Sequence, residues 1–161
     1  MTTTATLGWG SSCLPATPAP EVDLHPADRL AVQQTLARYA FALDHADLTA
    51  LEAVLTEDAT WTATIAAETD LGPFIGRAAV IDVVREATRT QTEQRRHNLV
   101  NIVINGAHTD TAQAWAYLML TSNADGKATL ITTGFYTFTL QRTSNEWRIA
   151  KIFVGLDTAE Q

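Results

Sequence analysis

Apolar residues recur every three or four positions in the first half of the chain, which predicts amphipathic helices. The first helix is expected over about 26–45, with Pro26 in its first turn. Asp47 is expected to cap a second, shorter helix, LTALEAVL. RAAVIDVVREATR predicts a third helix whose valines face inward. The apolar positions of the first helix are Leu30, Leu36, Tyr39, Ala40 and Leu43.

The period falls to two after residue 94, which indicates strands. Four strands are predicted at about 95–105, 110–122, 128–141 and 146–155, separated by the turn sequences NGAH, NADGK and RTSN. TEDATWTATI predicts an earlier strand, followed by a loop around LGPFIG. Short turns make consecutive strands antiparallel neighbours. The pattern therefore predicts an α+β domain in which helices cover one face of an antiparallel sheet.

The strand QRRHNLVNIVING carries a histidine where a β-branched residue is typical. Alternation places the odd-numbered residues from His97 to Val103 on one face and the even-numbered residues from Asn98 to Ile104 on the other. Both faces are largely apolar. Because the helices cover one face, we expect a second copy of the chain to cover the other, which predicts a homodimer or higher homo-oligomer.

The next strand decides whether this face has room for a ligand. A four-residue turn at 106–109 would place His97 near Leu118 and Leu99 near Ala116. The opposite parity would place Tyr117 there. The alanine row is favoured because it leaves empty volume opposite the histidine, as a binding pocket requires.

Length and composition indicate one soluble domain. The chain has 161 residues, of which 46% are hydrophobic and 18% charged. No apolar run reaches the roughly 18 residues that a membrane helix needs. The net charge of −7, without a basic cluster, argues against a nucleic-acid partner. A hydrophobic small molecule is the favoured ligand.

The single cysteine, Cys13, excludes an intrachain disulfide, and the start of the chain has no basic region of a secretory signal. A cytoplasmic protein is therefore expected. Residues 1–24, rich in Thr, Ala and Pro, are predicted to form a flexible tail, or a lid in which Trp9 covers a pocket or a neighbouring subunit. The domain proper is expected over 25–161.

Asp44 and His97 are the first candidates for chemistry. Asp44 falls at the C-terminal end of the first helix, where the helix dipole disfavours a carboxylate unless a partner compensates. The alternative is that Asp44 is solvated or holds the following turn, and that His97 is a core histidine bonded to a backbone carbonyl. Arg95 and Arg96 are interpreted as strand-edge charges.

A metal site built from Asp44, His45, His97 and His108 is disfavoured. Adjacent residues on a helix point about 100° apart. His108 lies in a turn at the far end of the strand. No metal site is predicted.

Four segments in order resemble the SnoaL-like family of the nuclear-transport-factor-2-like superfamily: RYAFALDHADLTALEAVLTEDATWTA, GRAAVIDVVREA, RRHNLVNIVING and GFYTFTLQRTSNEWRIAKI. The resemblance covers roughly residues 25–156. It implies a cone-shaped, strongly curved antiparallel sheet wrapped around N-terminal helices, with a deep apolar pocket inside. Related proteins include polyketide cyclases, ketosteroid isomerases and dehydratases.

The resemblance also implies a site. The dehydratase branch carries a Tyr and an Asp near the end of the first helix and a His on the strand after the third helix, and Tyr39, Asp44 and His97 match these places. It implies His97 as general acid/base, Asp44 as the residue that fixes its tautomer, and Tyr39 as a hydrogen-bond donor to a carbonyl or enolate oxygen. The second histidine of scytalone dehydratase-like members has no counterpart near Ala116. The strand carboxylates of the epoxide hydrolases and ketosteroid isomerases are also missing.

The expected function is therefore a cofactor-independent acid/base enzyme, a dehydratase, cyclase or isomerase, acting on a polyketide-, terpenoid- or steroid-like molecule. The alternative is a non-catalytic ligand-binding module or a partner resembling the β subunit of a ring-hydroxylating oxygenase. The residues expected to contact the substrate are Asn101, Trp61, Phe135, Leu99 and Leu118.

Overall fold

A computed structural model describes residues 24–66, 68–144 and 146–158. Almost all of the predicted tail, including Trp9, lies outside the described residues. The elements, in chain order, are α1 (Pro26–Asp44), α2 (Leu48–Val54), β1 (Leu55–Ile65), β2 (Thr69–Ile75), α3 (Arg77–Thr88), β3 (Gln94–His108), β4 (Thr111–Ala124), β5 (Lys127–Thr143) and β6 (Glu146–Leu156).

The six strands form one curved sheet in the order β2-β1-β6-β5-β4-β3. The strands β3 to β6 form the predicted antiparallel meander, and β1 joins it by pairing parallel to β6. The helices pack against one face, where residues of α1 join the inward-facing residues of the strands in one hydrophobic core. The predicted α+β class is confirmed. In the described part of the chain, no helix combines the length and hydropathy that crossing a bilayer requires.

The helix boundaries follow the predicted capping. The Asp47 side chain accepts a hydrogen bond from the backbone N–H of Ala50 at 2.9 Å, which caps α2. In α1 the buried row begins at Val32 and continues through Leu36 and Tyr39. Leu30 was expected on this row, but it is 65% exposed, because it lies two residues before Val32 and hence about 200° away around the helix.

The segment LGPFIG was predicted as a loop, but its first five residues lie in strand β2, and Gly76 is the N-cap of α3. Pro73 has no N–H for a ladder bond, and an edge strand tolerates this because one side of it has no neighbour. The ring of Phe74 packs 5.9 Å from that of Trp61 on β1, which gives the short strand a hydrophobic contact. Pattern alone misses such a strand because its apolar alternation is interrupted.

A β-bulge divides β3 into two parts. The pairing with β4 shifts between Val100 and Val103, and Asn101 adopts a positive φ of 53°. The inward face therefore carries His97 and Leu99 before the bulge and Ile104 after it, while Asn101 and Val103 are exposed. The prediction that His97 through Val103 share one face is wrong beyond Leu99, because the extra residue reverses the alternation.

The β3–β4 register also differs from the prediction. His97 pairs with Leu120 and Leu99 with Leu118, two residues further along β4 than expected. The two strands stay paired as far as His108 and Thr111, so the turn is shorter than the four residues assumed. The pairing also contains two register shifts, one between Val100 and Val103 and one between Gly106 and His108. The predicted parity holds: Ala116 is buried, and Tyr117 is exposed on the outer face.

Candidate active site

A cavity of about 260 Å³ lies between the helices and the inner face of the sheet. Its walls come from α1, α3 and the strands, and most of them are aliphatic or aromatic. Such an apolar enclosure with a few polar groups is the usual form of a small-molecule site. The polar side chains among the described lining residues are Tyr39, Trp61, Gln91, Arg95, His97 and Tyr136.

Asp44 and His97 form a hydrogen-bonded pair at this cavity. Nδ1 of His97 lies 2.7 Å from Oδ1 of Asp44, and the same oxygen accepts the backbone N–H of His97 at 2.9 Å. The Gln94 side chain donates to the backbone carbonyl of Asp44 at 2.8 Å, which ties the last turn of α1 to the start of β3. The carboxylate at the unfavourable end of the helix is thus compensated by donors from β3.

Both side chains of the pair are largely shielded from solvent, and His97 lies nearer the cavity than Asp44. The side chains of Asp44 and His97 are 9% and 17% exposed. His97 lines the cavity, whereas Asp44 lies behind it, outside the lining. An ionised carboxylate only accepts hydrogen bonds, so Nδ1 carries the proton. In neutral His97 this leaves the lone pair on Nε2.

Tyr39 reaches the cavity from the middle of α1. Its side chain is 2% exposed and lines the cavity wall. Burial raises the pKa of Tyr39 well above its usual value, while side-chain hydrogen bonds with Trp61 and Tyr136 act in the opposite direction. The phenol therefore keeps its proton at neutral pH and remains a hydrogen-bond donor.

The structure brings some of the predicted contact residues to the cavity and leaves others outside. Trp61 and Leu118 line it. Leu99 lies on the same side of the sheet but packs against the core instead of lining the cavity. Asn101 is exposed at the bulge and does not reach the cavity. The prediction that Asn101 contacts the substrate depended on an unbroken alternation along β3, which the bulge interrupts.

Phe135 also lies away from the cavity, on the opposite face of the sheet. It is 1% exposed; its ring lies over Gly155, its partner on β6, and its centroid is 5.7 Å from that of Phe153. A Cβ at Gly155 would lie 2.3 Å from the ring, so only glycine leaves room for it. The neighbouring Tyr136 lines the cavity instead.

Sequence reasoning missed Tyr136, Gln91 and Arg95. A signal for Tyr136 was present, because it alternates with Phe138 and Leu140, while the intervening Thr137 and Thr139 are less buried. For Arg95 the signal was its spacing of two residues from His97, which places both on one face of β3. Gln91 follows α3 in an irregular segment, where no period indicates its direction.

Of the four residues of the disfavoured metal site, only Asp44 and His97 are in contact. His45 is exposed, and its Nδ1 lies 2.8 Å from the carbonyl of Phe41, on whose ring it stacks. His108 is exposed at the far end of β3. Among the residues that the structure describes, no group of three or more His, Cys, Asp or Glu side chains is arranged to hold a metal ion.

Comparison with solved structures identifies relatives of the same architecture. A protein provisionally assigned as an aromatic ring hydroxylase from Novosphingobium aromaticivorans is 27% identical, with a TM-score of 0.71 over 86% of this chain and 95% of that one. Aln2 from a Streptomyces species is 24% identical, with a TM-score of 0.72 over 83% of this chain and 94% of that one.

A third structure is the β subunit of a provisionally assigned aromatic-ring-hydroxylating dioxygenase, also from Novosphingobium aromaticivorans. It is 18% identical, with a TM-score of 0.69 over 83% of this chain and 92% of that one. Other neighbours are described as having a cystatin-like fold, including one called NTF2-like. A comparison with curated proteins finds no match.

A sequence model of the SnoaL-like domain matches residues 25–152. This range begins just before α1 and ends within β6, so it includes every element that surrounds the cavity except the end of β6. The match agrees with the helices, the curved sheet and the enclosed apolar site. The chain belongs to the SnoaL-like domain family.

Proposed function

We propose that this protein is a cofactor-independent acid/base enzyme, a dehydratase, cyclase or isomerase that acts on a hydrophobic polyketide-, terpenoid- or steroid-like molecule. The observation that carries the proposal is the hydrogen bond from His97 to Asp44, with the imidazole at the wall of an apolar cavity and the carboxylate behind it. Membership in a family that includes polyketide cyclases and isomerases supports the same reaction class.

In the proposed mechanism, neutral His97 removes a proton from a carbon next to a substrate carbonyl through Nε2. The Asp44 carboxylate holds the imidazole in the required tautomer and stabilises the imidazolium that forms. Tyr39 donates a hydrogen bond to the developing enolate oxygen. The imidazolium then returns the proton to another atom of the same substrate, or to a departing hydroxyl group, and His97 is neutral again.

The apolar walls contribute by excluding water. A dry cavity strengthens the attraction between imidazolium, carboxylate and enolate, because the surrounding dielectric is low. A hydrophobic substrate skeleton gains binding free energy by burying apolar surface against these walls.

Deuterium incorporation into 1-tetralone, a compact apolar ketone, tests the proposal. We expect the wild-type protein to accelerate exchange of the protons next to the carbonyl, as followed by NMR in D₂O. His97→Ala should lower the rate at least about 100-fold, because general acid/base catalysis by a positioned side chain contributes at least this much. Asp44→Asn should lower it as well, because the amide NH₂ can donate to Nδ1 and hold the wrong tautomer, and a neutral amide does not stabilise the imidazolium.

The matched control is His108→Ala, which removes an exposed histidine from the same strand and should leave the rate unchanged. Thermal unfolding of each variant verifies that the fold is retained. Near-normal exchange in both His97→Ala and Asp44→Asn, or no acceleration by the wild-type protein, would contradict the assignment.

A second candidate is a partner module, since one neighbour is the β subunit of a provisionally assigned dioxygenase. In that role the chain would bind a different protein, and the Asp44–His97 pair would only hold α1 to β3. The exchange experiment separates the two candidates, because a structural pair gives no wild-type acceleration to lose.

A further inference from the structure

Gln91 is a neutral polar residue at the wall of the cavity that His97 also lines. It lies between the end of α3 and the start of β3, and it is partly buried. From Gln91 to Leu99 every second residue is partly buried and the residues between them are exposed, so Gln91 continues the inward-facing row of β3. A molecule that fills the cavity therefore contacts both Gln91 and His97.

The Gln91 side-chain amide is held in one orientation. Its Nε2 donates a hydrogen bond to the backbone carbonyl of Glu93 at 2.9 Å, and the backbone N–H of Gln91 donates to the carbonyl of Thr88 at 3.2 Å. A carbonyl oxygen only accepts, so the amide nitrogen lies on the side of Glu93, and the planar amide directs Oε1 away from it. Within the described part of the chain, Oε1 accepts no hydrogen bond and is not among the polar atoms sealed from solvent. Oε1 is thus an accessible acceptor on an anchored side chain.

The polar groups of the cavity wall differ in what they offer a ligand. The indole of Trp61 and the guanidinium of Arg95 carry N–H donors and no acceptor. Nε2 of His97 is the acceptor that the proposed mechanism uses for the reacting proton. Oε1 of Gln91 can accept a hydrogen bond and cannot donate one. An apolar group placed over Oε1 would remove its contact with water without compensation, whereas a hydroxyl group would donate to it.

We propose that Gln91 accepts a hydrogen bond from a hydroxyl group of the substrate, so that the site takes hydroxylated apolar molecules in preference to molecules of the same shape without the hydroxyl group. The inference rests on the proposed function in taking this cavity as the substrate site. Gln91 then determines specificity and holds one end of the substrate, while the reacting carbon lies at His97.

Matched ketones test this proposal without any turnover: 5-, 6- and 7-hydroxy-1-tetralone, each compared by calorimetry with the tetralone that carries a methyl group at the same carbon. Mildly acidic pH keeps the phenols protonated. We expect the wild-type protein to bind at least one hydroxytetralone about fivefold or more tightly than its methyl counterpart, because covering an acceptor without pairing it costs at least this much. Gln91→Met keeps the side-chain length but removes the amide. It should abolish the preference and leave the Kd of the methyl compound within about twofold.

Gln113→Met is the matched control, because it makes the same substitution at an exposed glutamine of β4. It should keep the full preference. His97→Ala should keep it too, because the hydroxyl group contacts Gln91, so a failure of the acid/base assignment leaves this result unaffected. The proposal is overturned if the wild-type protein binds none of the probes or shows no preference, if Gln91→Met retains the preference, or if Gln91→Met weakens both members of a pair equally.

Discussion

Tyr39 shows how a single buried residue can serve both stability and chemistry. Its ring packs edge-on against Tyr136 and Phe138, at 6.1 and 5.7 Å, while its hydroxyl group interacts with Trp61 and Tyr136. Burial disfavours the phenolate, so the folded protein holds this proton more tightly than the unfolded chain does. The same property that makes Tyr39 a dependable donor also links its protonation to folding.

The first prediction concerns alkaline stability. The raised pKa of Tyr39 means that, above about pH 10, the unfolded chain loses a proton that the folded protein keeps, so the free energy of unfolding falls as pH rises. Tyr39→Phe should remove the contribution of Tyr39 to this decrease in the free energy of unfolding, which is at most about 1.4 kcal/mol per pH unit. Urea unfolding between about pH 9 and 11 measures it. A wild-type slope retained in Tyr39→Phe would contradict this explanation.

At the scale of elements, α1 is attached to the sheet at both ends. Its C-terminal end is joined to β3 through Asp44 and His97. Near its N-terminal end, Asp28 contacts Arg142 on β5 at 2.6 Å and accepts a hydrogen bond from the indole of Trp147 on β6 at 3.1 Å. These attachments keep the helix that carries Tyr39 and Asp44 in register with the sheet.

The attachment near the N-terminal end predicts an acid dependence. The hydrogen bonds from Arg142 and Trp147 lower the pKa of Asp28, so the stabilisation is present above about pH 4 and is lost as pH falls through the lowered value. Asp28→Asn should therefore reduce the Tm at pH 7, and the gap to the wild-type protein should narrow below pH 4. Asp82→Asn, which breaks an exposed pair with Arg85, should change the Tm little. A constant gap at all pH values would contradict this explanation.

At the scale of the whole molecule, the outer face of the sheet exposes a patch of apolar side chains. Val100 on β3 pairs with Tyr117 on β4. The side chains of this patch are each between 37% and 45% exposed: Val100, Val103, Tyr117 and Met119. Adjacent exposed apolar side chains on a sheet face are typical of an interface. We propose that a second copy of the chain covers this patch. Because of the bulge, the residues on the outer face differ from those predicted. Val103 lies on this face, whereas Ile102 and Ile104 point inward.

Light scattering after size-exclusion chromatography tests the dimer. The wild-type protein should have twice the chain mass, and Tyr117→Glu combined with Val103→Glu should be monomeric because two charges would be buried without partners. Leu30→Glu places a charge on an exposed apolar residue of α1 and should leave the dimer intact. A monomeric wild-type protein would contradict the interface.

Much of the site was predictable because local sequence patterns determine which elements its residues lie on. The caps and periods place Asp44 at the end of α1 and His97 on a strand, and the family resemblance pairs them. Arg95 was misinterpreted as an edge charge because alternation states which face a residue shares, but not whether that face borders a cavity. Asn101 and Phe135 were misplaced for a related reason: a bulge and a glycine opposite an aromatic ring are decided by pairing with other strands.

The sequence by itself determined the order of helices and strands, the α+β class and the antiparallel meander, since these depend on hydrophobic period and turn chemistry between neighbours in the chain. Only the tertiary structure decided the register of β3 on β4, the strand character of LGPFIG and the position of Asp44 behind His97. These depend on contacts between residues far apart in sequence: 53 positions separate Asp44 from His97. No local pattern encodes a distance of 2.7 Å across that separation.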